Sequence, residues 1–275
     1  MTDNAPAVAP NVGQLILQYL KLEGVQHLFG IPGGGIMWML DELYKARGEF
    51  NYVICRQETG AAYMADGYAR MSGKPGVVLV TTGPGATNAL TGVVNAEAAG
   101  SPMLVLTGEI AEALFGSGYL QEGIDGALDV NAVLRAACAS SAMITSGTNA
   151  QTLIEAALRT AMGTPRHAAH LSLPWDVTLQ NPPSVSPVSP APPPNTPARK
   201  MPTSPASYRG APAVAADDLV KQAATLLQES TSPLILLGNG CRAALRDPAT
   251  LAALTAFVEA AQIPVMTTAN GKGVF

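Results

Sequence analysis

Gly30-Ile-Pro-Gly-Gly-Gly35, Arg56-Gln57-Glu58-Thr59-Gly60 and Thr81-Thr82-Gly83-Pro84-Gly85-Ala86-Thr87-Asn88 are the three stretches that decide how this chain folds. The first and third are too rich in glycine to be regular structure, and an acid stands between them. Each follows an apolar run of strand length: Val25 to Phe29, Tyr52 to Cys55 and Val77 to Val80. Each precedes a helical pattern: Met37 to Arg47, then Ala61, Ala62, Met64, Ala65, Tyr68 and Ala69, then Ala86 to Ala98. Two glycine turns and an acid at strand-to-helix junctions belong at the carboxyl edge of a parallel sheet. Open α/β sheets bind their ligands there.

The same rhythm extends outward. Asn11 can cap a helix that places Val12, Leu15, Ile16, Tyr19 and Leu20 on one face and ends at Gly24. Tyr52 to Cys55 reads as a buried strand, and Met103 to Leu106 as another. After these come a helix over Asn131 to Ala137, a strand over Ser141 to Thr145, a helix over Gln151 to Met162 and a strand over Ala168 to Leu173. The fold class is therefore α/β, a largely parallel sheet covered by helices on both faces and joined by right-handed crossovers. Pro174 closes this first domain, which spans 1–180. From Ala111 to Asp129 the periodicity lapses, with glycines at 116, 118, 123 and 126. Long aperiodic loops inside compact domains are usually functional.

Residues 181–213 are dense in Pro, Ser and Ala, including Pro192-Pro193-Pro194, and read as an extended, partly polyproline linker. A second α/β pattern occupies 214–275: a helix over Leu219 to Gln228, a strand over Leu234 to Leu237, a turn at Gly238-Asn239-Gly240, a helix over Ala249 to Ala261 and a strand over Ile263 to Thr267. One βαβ unit leaves much of its sheet uncovered, so this second domain is expected to be incomplete.

Composition narrows the function. A net charge of -4 and a pI near 5.4 argue against nucleic acid as a partner. No window approaches the ~20 continuous apolar residues of a membrane span, and Met1 to Pro10 lacks the basic and apolar regions of a signal peptide. Cys55, Cys138 and Cys241 are odd in number and far apart, so neither a metal site nor a disulfide framework is expected. The chain reads as cytoplasmic. His27, His167 and His170 have no partner at metal or triad spacing and read as structural or surface residues. Trp38 and Trp175 read as core or interface anchors.

Taken singly, the motifs are ambiguous. Gly83 to Asn88 follows a strand and opens a helix, which puts backbone N–H groups near an anion. It resembles the dinucleotide fingerprint, but Asn88 stands where a third glycine belongs. Glu109 ends the next strand, roughly where that fold keeps its ribose-binding acid, so an NAD-dependent oxidoreductase is one alternative. Glu58 in the first turn of a helix can be a simple dipole residue. A non-catalytic α/β dimerisation module is the other alternative.

The order of the pieces goes further. Gly30 to Gly35, the run Arg56 to Arg70 and the run Gly73 to Asn88 resemble, in that order, the thiamine-diphosphate enzymes, with the likeness closest to acetolactate synthase large subunits. It extends through Ser101-Pro102-Met103, Leu120-Gln121-Glu122 and Gly271-Lys272-Gly273-Val274-Phe275. The resemblance implies that residues 1–180 are a pyrimidine-binding domain and 214–275 part of a central domain. It implies thiamine diphosphate as cofactor, with Glu58 hydrogen-bonded to N1′ of its aminopyrimidine. A carboxylate there favours the imino tautomer, whose 4′-nitrogen can take the thiazolium C2 proton, and the cofactor becomes the electron sink for decarboxylating a 2-keto acid. By the same resemblance Ile31, Pro32, Gly33, Thr81, Gly83, Gly85 and Asn88 border the pyrimidine, and Gln121 lies near the reacting centre.

Members of that family hold the diphosphate through Mg²⁺ in a further domain with a Gly-Asp-Gly…Asn-Asn motif, which this sequence lacks. The resemblance therefore implies a site completed by the diphosphate domain of another subunit, in a homodimer or homotetramer. This chain, read as the N-terminal part of a longer or two-chain enzyme, is expected to be inactive alone. The small residues Ala61, Ala62 and Ala65 are expected to allow close helix approach across the two-fold axis. Use of FAD and of a regulatory subunit stays open.

Overall fold

A computed structural model describes residues 10–124, 128–181, 201–210 and 214–275. Two compact units divide between Gly210 and Ala211. Pro192 to Pro194 and Gly126 lie outside the described residues.

The first unit is built on six parallel strands in the order β2-β1-β3-β4-β6-β5. In chain order the elements are α1 (Val12–Leu22), β1 (His27–Gly30), α2 (Met37–Lys45), β2 (Asn51–Ile54), α3 (Glu58–Ser72), β3 (Gly76–Val80), α4 (Pro84–Ala98), β4 (Met103–Glu109), α5 (Val130–Ala137), β5 (Ser140–Met143), α6 (Gly147–Met162), β6 (Ala168–Pro174) and the short α7 (Trp175–Thr178). The central strands are buried on both sides, so alternate residues feed two cores. Leu28, Val77, Leu79, Leu104, Leu106 and Leu171 pack with α1, α2 and α6 on one face. Phe29, Val78, Val80, Met103, Val105 and Ala168 pack with α3, α4 and α5 on the other.

That distribution follows from the strand order. The chain leaves β1 outward to β2 through α2 on one face, then crosses back over β1 to β3 through α3 on the other. Right-handed crossovers in opposite directions must lie on opposite faces. The direction of winding thus reverses between β1 and β3, and the loops after those strands part there. Such a reversal opens a crevice at the carboxyl ends of the strands. Both glycine stretches lie at this switch point.

The Asn11 cap forms as expected. Its side chain accepts from Gln14 N, and the Gln14 side chain accepts in turn from Asn11 N. Three expectations need correction. Tyr52 to Cys55 is not a buried strand: β2 is an edge strand, and Ile54 is 68% exposed. An apolar run cannot tell an edge from a centre. Residues 201–210, read as linker, pack onto the first unit. Tyr208 is buried, its hydroxyl donates to Glu23 Oε1 (2.6 Å) and its ring meets Tyr19 edge-on at 5.3 Å.

The third correction concerns α3. Ala61, Ala62 and Ala65 are fully buried within their own chain. A Cβ on Gly92 of α4 would lie 2.5 Å from the Ala62 Cβ. The small residues serve α3–α4 packing, and the exposed side of α3 carries Tyr63, Met64 and Met71 instead.

The second unit contains α8 (Asp217–Glu229), β7 (Ile235–Leu237), α9 (Arg242–Leu245), α10 (Pro248–Ala261) and β8 (Val265–Thr267), with β7 and β8 parallel. Leu236 and Met266 are exposed, as a two-strand sheet cannot cover both faces. Arg242 ties its turns together by donating to Asn239 Oδ1 and to the carbonyls of Asn270 and Lys272. No helix among the described residues is long and apolar enough to cross a membrane.

Candidate active site

Glu58 opens α3 immediately beyond the carboxyl end of β2, where the backbone leaves the sheet (Cys55 N donates to Gly30 O, 2.8 Å). It is 9% exposed. Asn88, on the first turns of α4, donates Nδ2 to Glu58 Oε2 at 3.1 Å. Thr59 Oγ1 in turn donates to Asn88 O at 2.5 Å. Among the described residues no donor reaches Glu58 Oε1. One oxygen of a nearly buried carboxylate is thus fixed and the other is left for a donor from outside the chain. An open carboxylate oxygen on an otherwise buried side chain can accept from a ligand N–H.

The two glycine turns meet at Thr81. Cβ atoms added at Gly33, Gly35 and Gly85 would come within 2.5, 3.1 and 2.8 Å of its side chain. Gly35 N donates to Thr81 Oγ1 at 3.3 Å. Gly83 has φ +58, a backbone conformation that a side chain would strain, and α4 begins beside it at Pro84. Ile31 is half-buried and Pro32 exposed in the loop between β1 and Gly33.

Gln121 arrives from the long loop after β4. Its backbone also has a positive φ (62°), and a Cβ on Gly83 would lie 3.0 Å from Gln121 O. Non-glycine residues held in that region cluster at functional sites. The loop is held by Glu122, buried, which accepts from Gly116 N, Gly118 N and Tyr119 N. Tyr119 stacks edge-on against half-buried Trp175 at 5.9 Å, while Leu120 and Gln121 are exposed. The structure therefore brings together Glu58 with Asn88, Gly33 and Gly85 with Thr81, and Gly83 with Gln121. No hydrogen bond among the described residues joins Glu58 to Gln121.

Residues 10–129 match the family description "Thiamine pyrophosphate enzyme, N-terminal TPP binding domain", and residues 220–275 match "Thiamine pyrophosphate enzyme, central domain". The chain belongs to the thiamine pyrophosphate enzymes. It is similar to the mitochondrial acetolactate synthase catalytic subunit of Saccharomyces cerevisiae, 35% identical over 270 residues, 96% of this chain and 36% of the relative. It is 33% identical to the acetolactate synthase of Arthrospira platensis over 278 residues, 100% of this chain and 44% of that one. A local stretch of 109 residues is 46% identical to the acetolactate synthase large subunit of Buchnera aphidicola, covering 40% of this chain and 19% of that one. The chain spans less than half the length of the curated relatives it matches.

Within this thiamine pyrophosphate enzyme fold, three residues escaped sequence reasoning or changed role. Tyr52 donates its hydroxyl to Leu79 O at 2.9 Å between the two loops. Burial raises its pKa, and nearby Cys55 and Glu58 add to the rise. A phenol in an otherwise apolar strand run was the available signal. Burial likewise raises the Cys55 thiol, so it is not an activated nucleophile. Glu109, the ribose acid of the nicotinamide alternative, has no exposed surface and its oxygens are taken by Thr82, Ile110 and Gly123. It cannot reach a ribose. Among the histidines, His170 is a core residue between Thr107 and Ser141, and His167 pairs with Glu97. Among the described residues no cluster of three His, Cys, Asp or Glu could hold a metal ion.

Proposed function

We propose that this chain is the pyrimidine-binding part of a thiamine-diphosphate enzyme that decarboxylates a 2-keto acid and ligates the product, as acetolactate synthases do. The observation that carries it is Glu58: a carboxylate at the switch point, one oxygen held by Asn88 and the other unclaimed. When bound, thiamine diphosphate supplies the electron sink that decarboxylation needs.

The chain's own residues would prepare that chemistry. Glu58 Oε1 would accept from the aminopyrimidine N1′ and hold a proton there. Asn88 keeps the carboxylate aimed. Ile31, Pro32, Gly33, Thr81, Gly83 and Gly85 line the ring, and the missing side chains of the glycines let backbone approach it closely. Gln121, with both a donor and an acceptor, orients the substrate carbonyl.

The diphosphate and Mg²⁺ would be held by another subunit of a homodimer or homotetramer. The exposed Tyr63, Met64 and Val94, on the helices that carry Glu58 and Asn88, support an interface there. Three free, widely spaced cysteines suit a reducing, cytoplasmic compartment. The test is CO₂ release from a panel of 2-keto acids by the enzyme carrying this chain, with and without thiamine diphosphate and Mg²⁺. Release that requires the cofactor supports the proposal; no release from any of them with the cofactor present contradicts it.

A further inference from the structure

We infer that Glu109 is a positioning residue that ties the loop carrying Gln121 onto the Gly83 turn and so sets where Gln121 stands. This rests on the reading of Gln121 and Gly83 as active-site elements.

Glu109 is the last residue of β4 and has 0% exposure. Its oxygens reach three segments at once. Oε2 accepts from Thr82 Oγ1 (2.9 Å), one residue before Gly83. Oε1 accepts from Gly123 N (3.2 Å), two residues after Gln121, and from its neighbour Ile110 N (2.9 Å). A carboxylate has acceptor capacity for all three, and an amide could keep two of the bonds and reverse the one to Thr82.

Steric contact points the same way. A Cβ on Gly123 would lie 2.6 Å from Thr82 Oγ1, 2.7 Å from Glu109 Oε2 and 2.7 Å from Val130 Cγ2. The loop backbone therefore lies directly on the Glu109–Thr82 pair. Glu122 organises the loop internally through Gly116, Gly118 and Tyr119, and none of these bonds reaches the sheet. Among the described residues Glu109 links Gly123 of the loop to Thr82 and the end of β4. Burial raises its pKa, helped by the Glu122 charge, while its three donors oppose the shift.

A buried carboxyl that merely filled space would not be aimed at two loops that must agree in position. Gln121 directly precedes the two anchors, Glu122 and Gly123, and holds a left-handed conformation that the surroundings must impose. Releasing Gly123 removes the constraint that fixes this stretch to the sheet.

The experiment compares wild type with Glu109→Ala, Glu109→Gln and Thr82→Val in the enzyme carrying this chain, by hydrogen–deuterium exchange without cofactor and by kcat/KM for a 2-keto acid with thiamine diphosphate and Mg²⁺ present. Exchange at residues 116–124 should rise about tenfold or more in Glu109→Ala, with β3 and β4 unchanged, because loss of the acceptor leaves buried donors unmade. Glu109→Gln should stay within about twofold of wild type, and Thr82→Val, which deletes only one donor, should fall between. If Glu109→Ala does not fold, the Thr82→Val rise confined to 116–124 carries the test. Unchanged loop exchange, or a rise spread equally over the whole sheet, would overturn the tie. Faster loop exchange in Glu109→Ala with unchanged kcat/KM would overturn the placement of Gln121 as an active-site role while leaving the tie in place.

Discussion

Asn88 donates Nδ2 to Glu58 Oε2 at 3.1 Å, joining the first turns of α4 and α3 at the switch point of the sheet. The bond determines which carboxylate oxygen faces outward. Asn88 is exposed and Glu58 is not, so the pair separates stability from aim. Asn88→Ala should lower turnover about tenfold or more while leaving the melting temperature nearly unchanged, since small misplacements of a reacting group are costly. Asn88→Asp should be worse, because it sets a second carboxylate against Glu58. Steady-state kinetics beside a melting curve measures both. Equal activity of all three proteins would show that Asn88 does not aim Glu58.

The glycine stretch from the end of β1 contains both obligatory and dispensable positions. A Cβ on Gly30 would lie 1.8 Å from Leu79 O and 2.5 Å from the Tyr52 hydroxyl oxygen. Backbone cannot yield there without separating β1 from β3. Gly30→Ala should cost about 3 kcal/mol or more, or prevent folding. Gly34 has no atom within 4 Å of its added Cβ, so Gly34→Ala should change stability by less than about 0.5 kcal/mol. Denaturant titration of the two variants gives the contrast directly.

His170 makes stability fall in acid. Burial lowers its pKa from 6.5 to about 3, and its ring nitrogens pair with Thr107 Oγ1 (2.9 Å) and Ser141 Oγ (2.8 Å). The folded protein holds the imidazole neutral, so the unfolded chain takes up a proton first as pH drops. Stability from this residue is full above about pH 6.5 and is lost as pH falls from there toward 3. The slope is at most about 1.4 kcal/mol per pH unit for one proton. Glu109, shifted upward, works in the opposite sense above its ordinary carboxylate range, so the clean quantity is a difference. Unfolding free energies of wild type and His170→Asn should converge as pH falls from 6.5, by loss in the wild type. Parallel curves would refute the assignment.

The segment 201–210 is anchored by a buried charge. Glu23 is 6% exposed and accepts from the Tyr208 hydroxyl and from Arg209 Nε (3.0 Å). Arg209→Ala leaves that carboxylate without its cation and should destabilise the first unit by about 3 kcal/mol. Tyr208→Phe, which keeps the cation, should cost about 1 to 2 kcal/mol. Chemical denaturation ranks them, and the reverse order would refute the account of the anchor.

How much of this the sequence disclosed depends on the kind of contact. Val77 to Val80 and Met103 to Leu106 could be read because a central parallel strand must be apolar on both faces, and a run of apolar residues records that. Glu58 could be placed because the two glycine turns bracket it. Tyr52 to Cys55 misled because an edge strand can be equally apolar. Residues 201–210 were hidden by the proline-rich composition around them, although Tyr208 and Arg209 are the wrong residues for a solvated tether. The Glu109 hub could not be read at all. Two of its three donors are backbone N–H groups, which leave no trace in residue identity, and one comes from a loop 14 residues away. Ala61, Ala62 and Ala65 did signal close helix approach, but to α4 of the same chain.

Glu58→Gln tests the central claim most directly. Glutamine has nearly the same size and can still accept from Asn88, so packing and helix start are preserved. It cannot supply a carboxylate to the pyrimidine N–H. The measurement is turnover of a 2-keto acid by the enzyme carrying this chain, at saturating thiamine diphosphate and Mg²⁺, alongside a melting curve. Turnover should fall by about 10²- to 10⁴-fold with the melting temperature little changed. Near-normal turnover in Glu58→Gln would make Glu58 an ordinary helix-start residue and contradict the account.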